Sequence, residues 1–289
     1  MRIATWNVNS LNARLEKVAW WIGRAKPDVL LMQETKLADN DAPREFFQQL
    51  GYELAHHGQG RWNGVAIASR CGIQDVVSNF GEPLRPNPTP DIPDDQPFAE
   101  ARMISAVCGG IRLISIYAPN GRSVGTIFYE AKLAWYDRLA QWLASKRDIQ
   151  EPLCIGGDFN IAPTDVDVWD PAACHGGTHV SERERTAFGR LCEWGLVDAY
   201  RLRHPEPDRY TWWDYRAGNF HKNFGMRIDH LLVTEPLAKR VIWAEIDREA
   251  RKGKPVPSDH APLSIDIDDS GLAFDAGWAG AEERIRKRR

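Results

Sequence analysis

The apolar run Val29-Leu30-Leu31-Met32 stops abruptly at Gln33-Glu34-Thr35, and this juncture constrains the fold more than any other stretch. Four consecutive apolar residues bounded by polar ones predict a short strand buried on both faces. The segment ahead of it carries Leu11, Leu15, Val18 and Ile22 at helical spacing, with Ser10 placed to cap the helix and Pro27 to end it. Another short apolar run covers residues 3–6. Strand, helix, strand is the opening of a layered α/β protein, in which sites form at the carboxyl ends of strands.

Further strands are predicted at 64–68, 102–108 and 111–117, the last pair joined by a Gly109-Gly110 hairpin turn, and at 153–155, 227–233, 241–244 and 262–267. A helix is predicted over 126–145, with Phe128, Trp135, Leu139, Trp142 and Leu143 on one face. A second starts at Ser181, which forms a capping-box pattern with Glu184, and stops at Gly195. The proline-rich stretch 86–97 reads as a solvated connection. Neither a fixed-period repeat nor a long linker interrupts the 289 residues, which predicts one domain over 1–268 and a charged tail over 269–289.

Lysine and arginine total 37 against 40 acids, a net charge of −3, so a polyanion site would have to be local. The five cysteines include no C-x-x-C pair, which argues against a disulfide framework or a thiolate zinc site and predicts a cytoplasmic protein. No apolar run approaches the roughly 18 to 20 residues of a membrane span, so no membrane partner is expected.

Several predicted strand ends carry amides or carboxylates: Asn7 and Asn9, Glu34, Asp158 and Asn160, Asp229, and Asp259-His260. Acids and amides gathered from separate strands suit a hard divalent cation such as Mg²⁺ better than zinc. In Gly156-Gly157-Asp158-Phe159-Asn160 the glycines allow close backbone approach while two polar side chains project beyond them. A competing pattern, Gly121-Arg122-Ser123-Val124-Gly125, fits G-x-S-x-G and raises a serine hydrolase using Ser123, an acid and His260. Pro119-Asn120 separates it from the preceding strand, and it leaves Glu34, Asp158 and Asn160 unexplained. His175 and His179 have a zinc-helix spacing, but Gly176-Gly177-Thr178 between them is a poor helix.

The segments Trp6-Asn7-Val8-Asn9, Gln33-Glu34-Thr35-Lys36, Tyr117-Ala118-Pro119-Asn120-Gly121, Gly157-Asp158-Phe159-Asn160, Arg227-Ile228-Asp229-His230 and Ser258-Asp259-His260 occur in this order. The chain thereby resembles the exonuclease III family of bacterial apurinic/apyrimidinic endonucleases, within the wider endonuclease/exonuclease/phosphatase superfamily, over residues 1 to about 268. The Tyr-x-Pro-Asn-Gly turn and the run Tyr210-Thr211-Trp212-Trp213-Asp214-Tyr215-Arg216 are similar to the DNA-repair branch in particular. From Arg201 to Arg227, six Lys or Arg and three acids are interleaved with aromatics, a pattern that suits DNA.

The resemblance implies an α/β (α+β) four-layer sandwich, two packed mixed β-sheets flanked by helices. It implies a metal-dependent DNA phosphodiesterase of base excision repair that incises 5′ to abasic sites and acts as a 3′→5′ exonuclease and 3′-phosphatase or phosphodiesterase on duplex DNA. Glu34 and Asp259 would ligate Mg²⁺, with Mn²⁺ as substitute and Asn7 beside them; Asp158 and Asn160 would complete the set across the scissile phosphate. Asp158 would activate water, Asn160 would orient it or stabilise the pentavalent phosphorus, His260 held by Asp229 would contact a phosphate oxygen, and Tyr117 would sit by the phosphate or the leaving oxygen; the proton of the water would go to either Asp158 or His260. Asn120 and Arg122 would reach the DNA strand, and Trp212 with Met226 or Ile228 would wall a pocket for a base-free sugar. Asn9 stands where some relatives carry an acid, so a single ion is expected, in a protein acting as a monomer on double-stranded DNA with abasic sites or 3′ ends. The alternative is a phosphoesterase of the same superfamily acting on inositol lipids or other small phosphoesters.

Overall fold

The computed structural model describes residues 1–81 and 100–268; the proline-rich stretch 86–97 and the tail 269–289 lie outside the described residues. The strands are β1 (Arg2–Asn7), β2 (Val29–Gln33), β3 (Glu53–His57), β4 (Val65–Ser69), β5 (Gln74–Ser78), β6 (Met103–Cys108), β7 (Ile111–Tyr117), β8 (Leu153–Asp158), β9 (Leu196–Asp198), β10 (Asp229–Thr234), β11 (Val241–Ile246) and β12 (Leu263–Ile267). The helices are α1 (Leu11–Ala25), α2 (Arg44–Gln49), α3 (Ile127–Lys146), α4 (Pro171–Cys174), α5 (Glu182–Glu193), α6 (Asn219–Lys222) and α7 (Glu235–Ala238). One six-stranded sheet runs β11-β12-β1-β2-β4-β3 and the other β5-β6-β7-β8-β10-β9, each mixed.

Period-2 alternation divides the side chains among three apolar layers. Ile3, Val29, Leu31, Val65 and Ile67 point into the gap between the sheets, where they meet Ile104, Leu113, Cys154, Leu231 and Val233. The alternate residues Ala4, Trp6, Leu30 and Met32 pack under Val18, Trp21 and Ile22 of α1. On the outer face of the second sheet, Ile114, Ile116 and Ile155 pack under Trp135, Leu139 and Leu143 of α3 and Leu191 of α5. The four layers are therefore helix, sheet, sheet, helix, as expected.

Gly156 leaves room for leucines to pack against the β8 backbone. A Cβ there would stand 2.6 Å from both Leu31 of the first sheet and Leu231 of the second, well inside van der Waals contact. Thr126 caps α3 by accepting the Tyr129 amide, and the reciprocal capping box of Ser181 and Glu184 opens α5. Ser10 does not cap α1: its φ is 84°, it makes no side-chain cap bond, and its backbone amide donates instead to the Glu34 carbonyl at 2.7 Å. Strands β3, β5 and β9 were not predicted from the sequence, because Glu53–His57 and Gln74–Ser78 are short, polar and only partly buried.

Candidate active site

The parallel pairs β1–β2 and β7–β8 deliver their carboxyl ends to one edge of the gap between the sheets. Asn7 ends β1, Glu34 follows β2, Tyr117 and Asp158 end β7 and β8 in register, and Asp229 opens β10 opposite Asp158. The Asn7 amide joins the two sheets: Nδ2 donates to Glu34 Oε1 at 2.8 Å and to Asp158 Oδ2 at 3.0 Å.

His260 is held from below. Its Nδ1 lies 2.8 Å from Asp229 Oδ2, and Nε2 faces Asp158 Oδ2 at 3.8 Å. Burial disfavours the imidazolium, but the carboxylates of Asp229 and Asp158 outweigh it and push the His260 pKa up to about 10. Asp158 moves the opposite way from a usual carboxyl. Burial raises its pKa to about 7, Asp229 and Glu34 add like-charge repulsion, and His260 and the Asn7 hydrogen bond oppose the rise. Ligand atoms of Glu34, Asp158 and His260 all lie within 4.8 Å of one another. Two carboxylates converging with one resisting ionisation is a donor set that fits a hard divalent cation.

Asp259 stands one step further out. Its Oδ1 accepts from Asn9 Nδ2 at 2.9 Å and its Oδ2 from Trp212 Nε1 at 3.1 Å. The Asn160 side chain ties the β7 and β8 loops, donating from Nδ2 to Ala118 O at 2.9 Å and accepting from Asn120 Nδ2 at 3.2 Å. Tyr117 is half-buried, and burial together with the Glu34 charge pushes its phenol well above the usual range, so it stays a hydrogen-bond donor. Asn120 and Arg122 are exposed, with the Arg122 guanidinium 3.7 Å over the Phe128 ring.

Trp212 and Met226 are half-buried and pair across an isolated bridge, with Trp212 bridged to His260 as well. They pack on a small apolar cluster of Ala162, Val168, Val180 and buried Ile228. Trp213, by contrast, is fully buried core. The serine-hydrolase pattern has no counterpart in the geometry. Ser123 is exposed in the turn before the α3 cap, its carbonyl accepts the Thr126 hydroxyl, and the His260 nitrogens face Asp229 and Asp158.

Several site residues were not singled out from the sequence. Lys36 Nζ lies 2.9 Å from Glu34 Oε2 and donates to Asn9 Oδ1 at 2.6 Å, and the Ser258 hydroxyl donates to Asn7 O at 2.6 Å and accepts from the His260 amide at 3.1 Å. Both lie inside the quoted motifs. The Thr211 hydroxyl accepts the amides of Ile228 and Asp229 at 3.1 and 3.0 Å. His179 leaves the histidine pair entirely: His175 follows α4, whereas His179, at φ 78°, turns its ring to 6.5 Å from Trp212 and donates from Nδ1 to Asn160 O at 2.6 Å. Burial and the Lys132 charge lower its pKa to about 4, so it is neutral near pH 7. Lys132 carried no sequence signal at all, because a charge that helical spacing places on a buried face looks like an exception to the pattern.

The endonuclease/exonuclease/phosphatase family model matches residues 4–260, which contain all of these groups. The chain belongs to this family. Among family members, exodeoxyribonuclease III of Haemophilus influenzae is 33% identical over 278 residues, covering 91% of this chain and 98% of the relative. An AP endonuclease from Archaeoglobus fulgidus superposes with a TM-score of 0.85 at 36% identity, covering 93% of this chain and all of that one. NExo from Neisseria, a 3′ phosphatase solved with a product DNA hairpin, superposes with a TM-score of 0.83 at 37% identity and the same coverage.

Proposed function

We propose that this protein is a metal-dependent DNA phosphodiesterase of base excision repair, incising 5′ to abasic sites and acting at 3′ ends as exonuclease and phosphatase. The observation that carries the reading is the convergence of Glu34, Asp158 and His260 within 4.8 Å, beside a half-buried Trp212 bonded to Asp259. The relatives named as exodeoxyribonuclease III, AP endonuclease and 3′ phosphatase support a DNA substrate over an inositol or other small phosphoester. Residues 1–268 form the catalytic unit and 269–289 an appended charged tail, in a monomer on duplex DNA. Five free cysteines support a cytoplasmic setting.

Glu34, with Asn7, Asp158, Asn160 and Asp259 near it, would hold Mg²⁺, or Mn²⁺ in its place. When bound, the cation would supply positive charge that stabilises the phosphate and the leaving group. His260, protonated and oriented by Asp229, donates from Nε2 to a non-bridging phosphate oxygen. Asp158 accepts the proton of the attacking water, and Asn160, beside it, orients that water. The Tyr117 phenol donates to charge developing on the leaving oxygen. Asn120 and Arg122 contact the strand, and Trp212, Met226 and Ile228 wall the sugar pocket.

The test is one duplex with a single abasic analogue, assayed beside blunt, nicked and 3′-phosphate ends in Mg²⁺, Mn²⁺ and chelator. Cleavage in both ions and none in chelator is expected; hydrolysis of small phosphoesters with no action on any of the four DNAs would overturn the reading.

A further inference from the structure

Next to Glu34 lies a second hydrogen-bonded chain that the proposed chemistry does not use. Asp39 Oδ1 lies 2.8 Å from His56 Nδ1 and accepts the Gly58 amide at 2.8 Å, while His56 Nε2 lies 2.8 Å from the Thr35 hydroxyl. A carboxylate only accepts, so Nδ1 carries the ring proton, and the lone pair on Nε2 takes the Thr35 O–H. The order hydroxyl, imidazole, carboxylate matches a hydrolase triad. Thr35 is nevertheless completely buried and the His56 ring has no exposure, so no substrate reaches the hydroxyl.

The backbone shows what the chain of bonds holds. Glu34 and Lys36 both adopt left-handed conformations, φ 51° and 54°, which are unfavourable for residues with a Cβ and persist only where neighbours fix them. Between them, Thr35 donates its amide to Gly64 O at 3.1 Å and accepts the Leu11 amide at 3.0 Å. Gly64, at φ 94°, permits this packing, since a Cβ there would stand 2.2 Å from Thr35 Oγ1. The hydroxyl is the only polar side-chain atom of Thr35, and His56 brings to it a ring anchored on β3.

Resting on the metal-dependent reading above, we infer that Asp39 and His56 are positioning residues that latch Thr35 and thereby preset the Glu34 carboxylate for its divalent cation. Their effect reaches the cation through the Glu34 backbone.

The probe is Mn²⁺ alone, titrated calorimetrically into the full-length, DNA-free protein. Thr35→Val, His56→Phe and Asp39→Asn each weaken Mn²⁺ binding by about fivefold or more. The double variant Thr35→Val/His56→Phe is no weaker than the worse single one, because one latch is broken in both. His56→Gln, which returns an acceptor near the Nε2 position, recovers most of the affinity. Asp39 is 45% exposed, so Asp39→Asn keeps the test valid if the core variants fail to fold. Mn²⁺ affinity within twofold of wild type in folded variants, whatever their melting temperatures, would overturn the latch. A wild-type protein that binds Mn²⁺ in this pattern yet cleaves no DNA would leave the latch standing and remove the proposed function instead.

Discussion

Lys132 and Glu184 form a fully buried ion pair, Nζ to Oε1 2.5 Å, that joins α3 to α5 beside the loop that follows β8. The same ammonium donates to Asn160 O at 2.7 Å. Lys132→Met strands the Glu184 carboxylate and is expected to cost about 3 to 5 kcal/mol in chemical unfolding. Lys132→Met/Glu184→Gln should regain much of that stability but not the activity, because neither change restores the bond to the Asn160 carbonyl. Full activity in the double variant would dismiss Lys132 as a support for the site.

Removing the charge under His260 should turn a fixed donor into a titrating one. In the wild type the Asp229 carboxylate helps keep the imidazolium protonated to about pH 10. In Asp229→Asn burial acts with less opposition and the His260 pKa falls, so kcat/KM should decline with rising pH earlier than in wild type. NMR titration of the His260 ring protons reads the shift directly, and an unchanged midpoint would contradict it.

Asp158 predicts the pH dependence of the metal-free protein. Its folded pKa of about 7 lies above the usual 3.8, so the folded state resists an ionisation that the unfolded state accepts. Its contribution therefore becomes steadily less favourable as pH rises from about 4 to 7. Asp158→Asn should flatten that decline in melting temperature measured in chelator, and Mg²⁺ should raise the wild-type melting temperature most above pH 7. The same substitution should lower turnover by about 10² or more if Asp158 is the base. A variant that melts along the wild-type pH curve would refute the assignment of the strain to Asp158.

Trp212→Ala tests the sugar pocket. Because the ring is half-buried, the fold should survive, and abasic-site incision should lose roughly 1 to 3 kcal/mol, about ten- to a hundredfold in kcat/KM. Removal of a 3′-phosphate should suffer much less, and Trp212→Phe separates stacking from the lost bond to Asp259. Equal losses on both substrates with a large fall in melting temperature would make the residue structural.

The layers were legible where burial imposes a period. Val29 to Met32, the helical stripe of α1 and the S-x-x-E pattern at Ser181 each lie where the sequence puts them, since each is determined by its own neighbours. The acids that converge at the sheet edge, Glu34 and Asp158, were singled out through motif resemblance, because glycines and polar strand ends occur in the same order. Ser10 was misread because its amide answers to Glu34, a residue 24 positions away. Lys132 and His56 stayed hidden for a related reason. Each owes its place to partners on other elements, and nothing local in the chain distinguishes a lysine bound to a carbonyl from one in water.

Gly156 has a consequence beyond packing. A Cβ here would meet the Cδ1 methyl of Leu31 on the facing sheet at 2.6 Å, so a side chain larger than that leucine can clear would act as a shim between the sheets. The candidate site draws on both sheets, Glu34 from one and Asp158 from the other, joined by the Asn7 amide. A wedge there would widen the one gap that Asn7 can bridge only at hydrogen-bond length. Catalysis would then register a displacement of a few tenths of an ångström before the global fold did, which makes the width of the sandwich itself a tolerance of the enzyme.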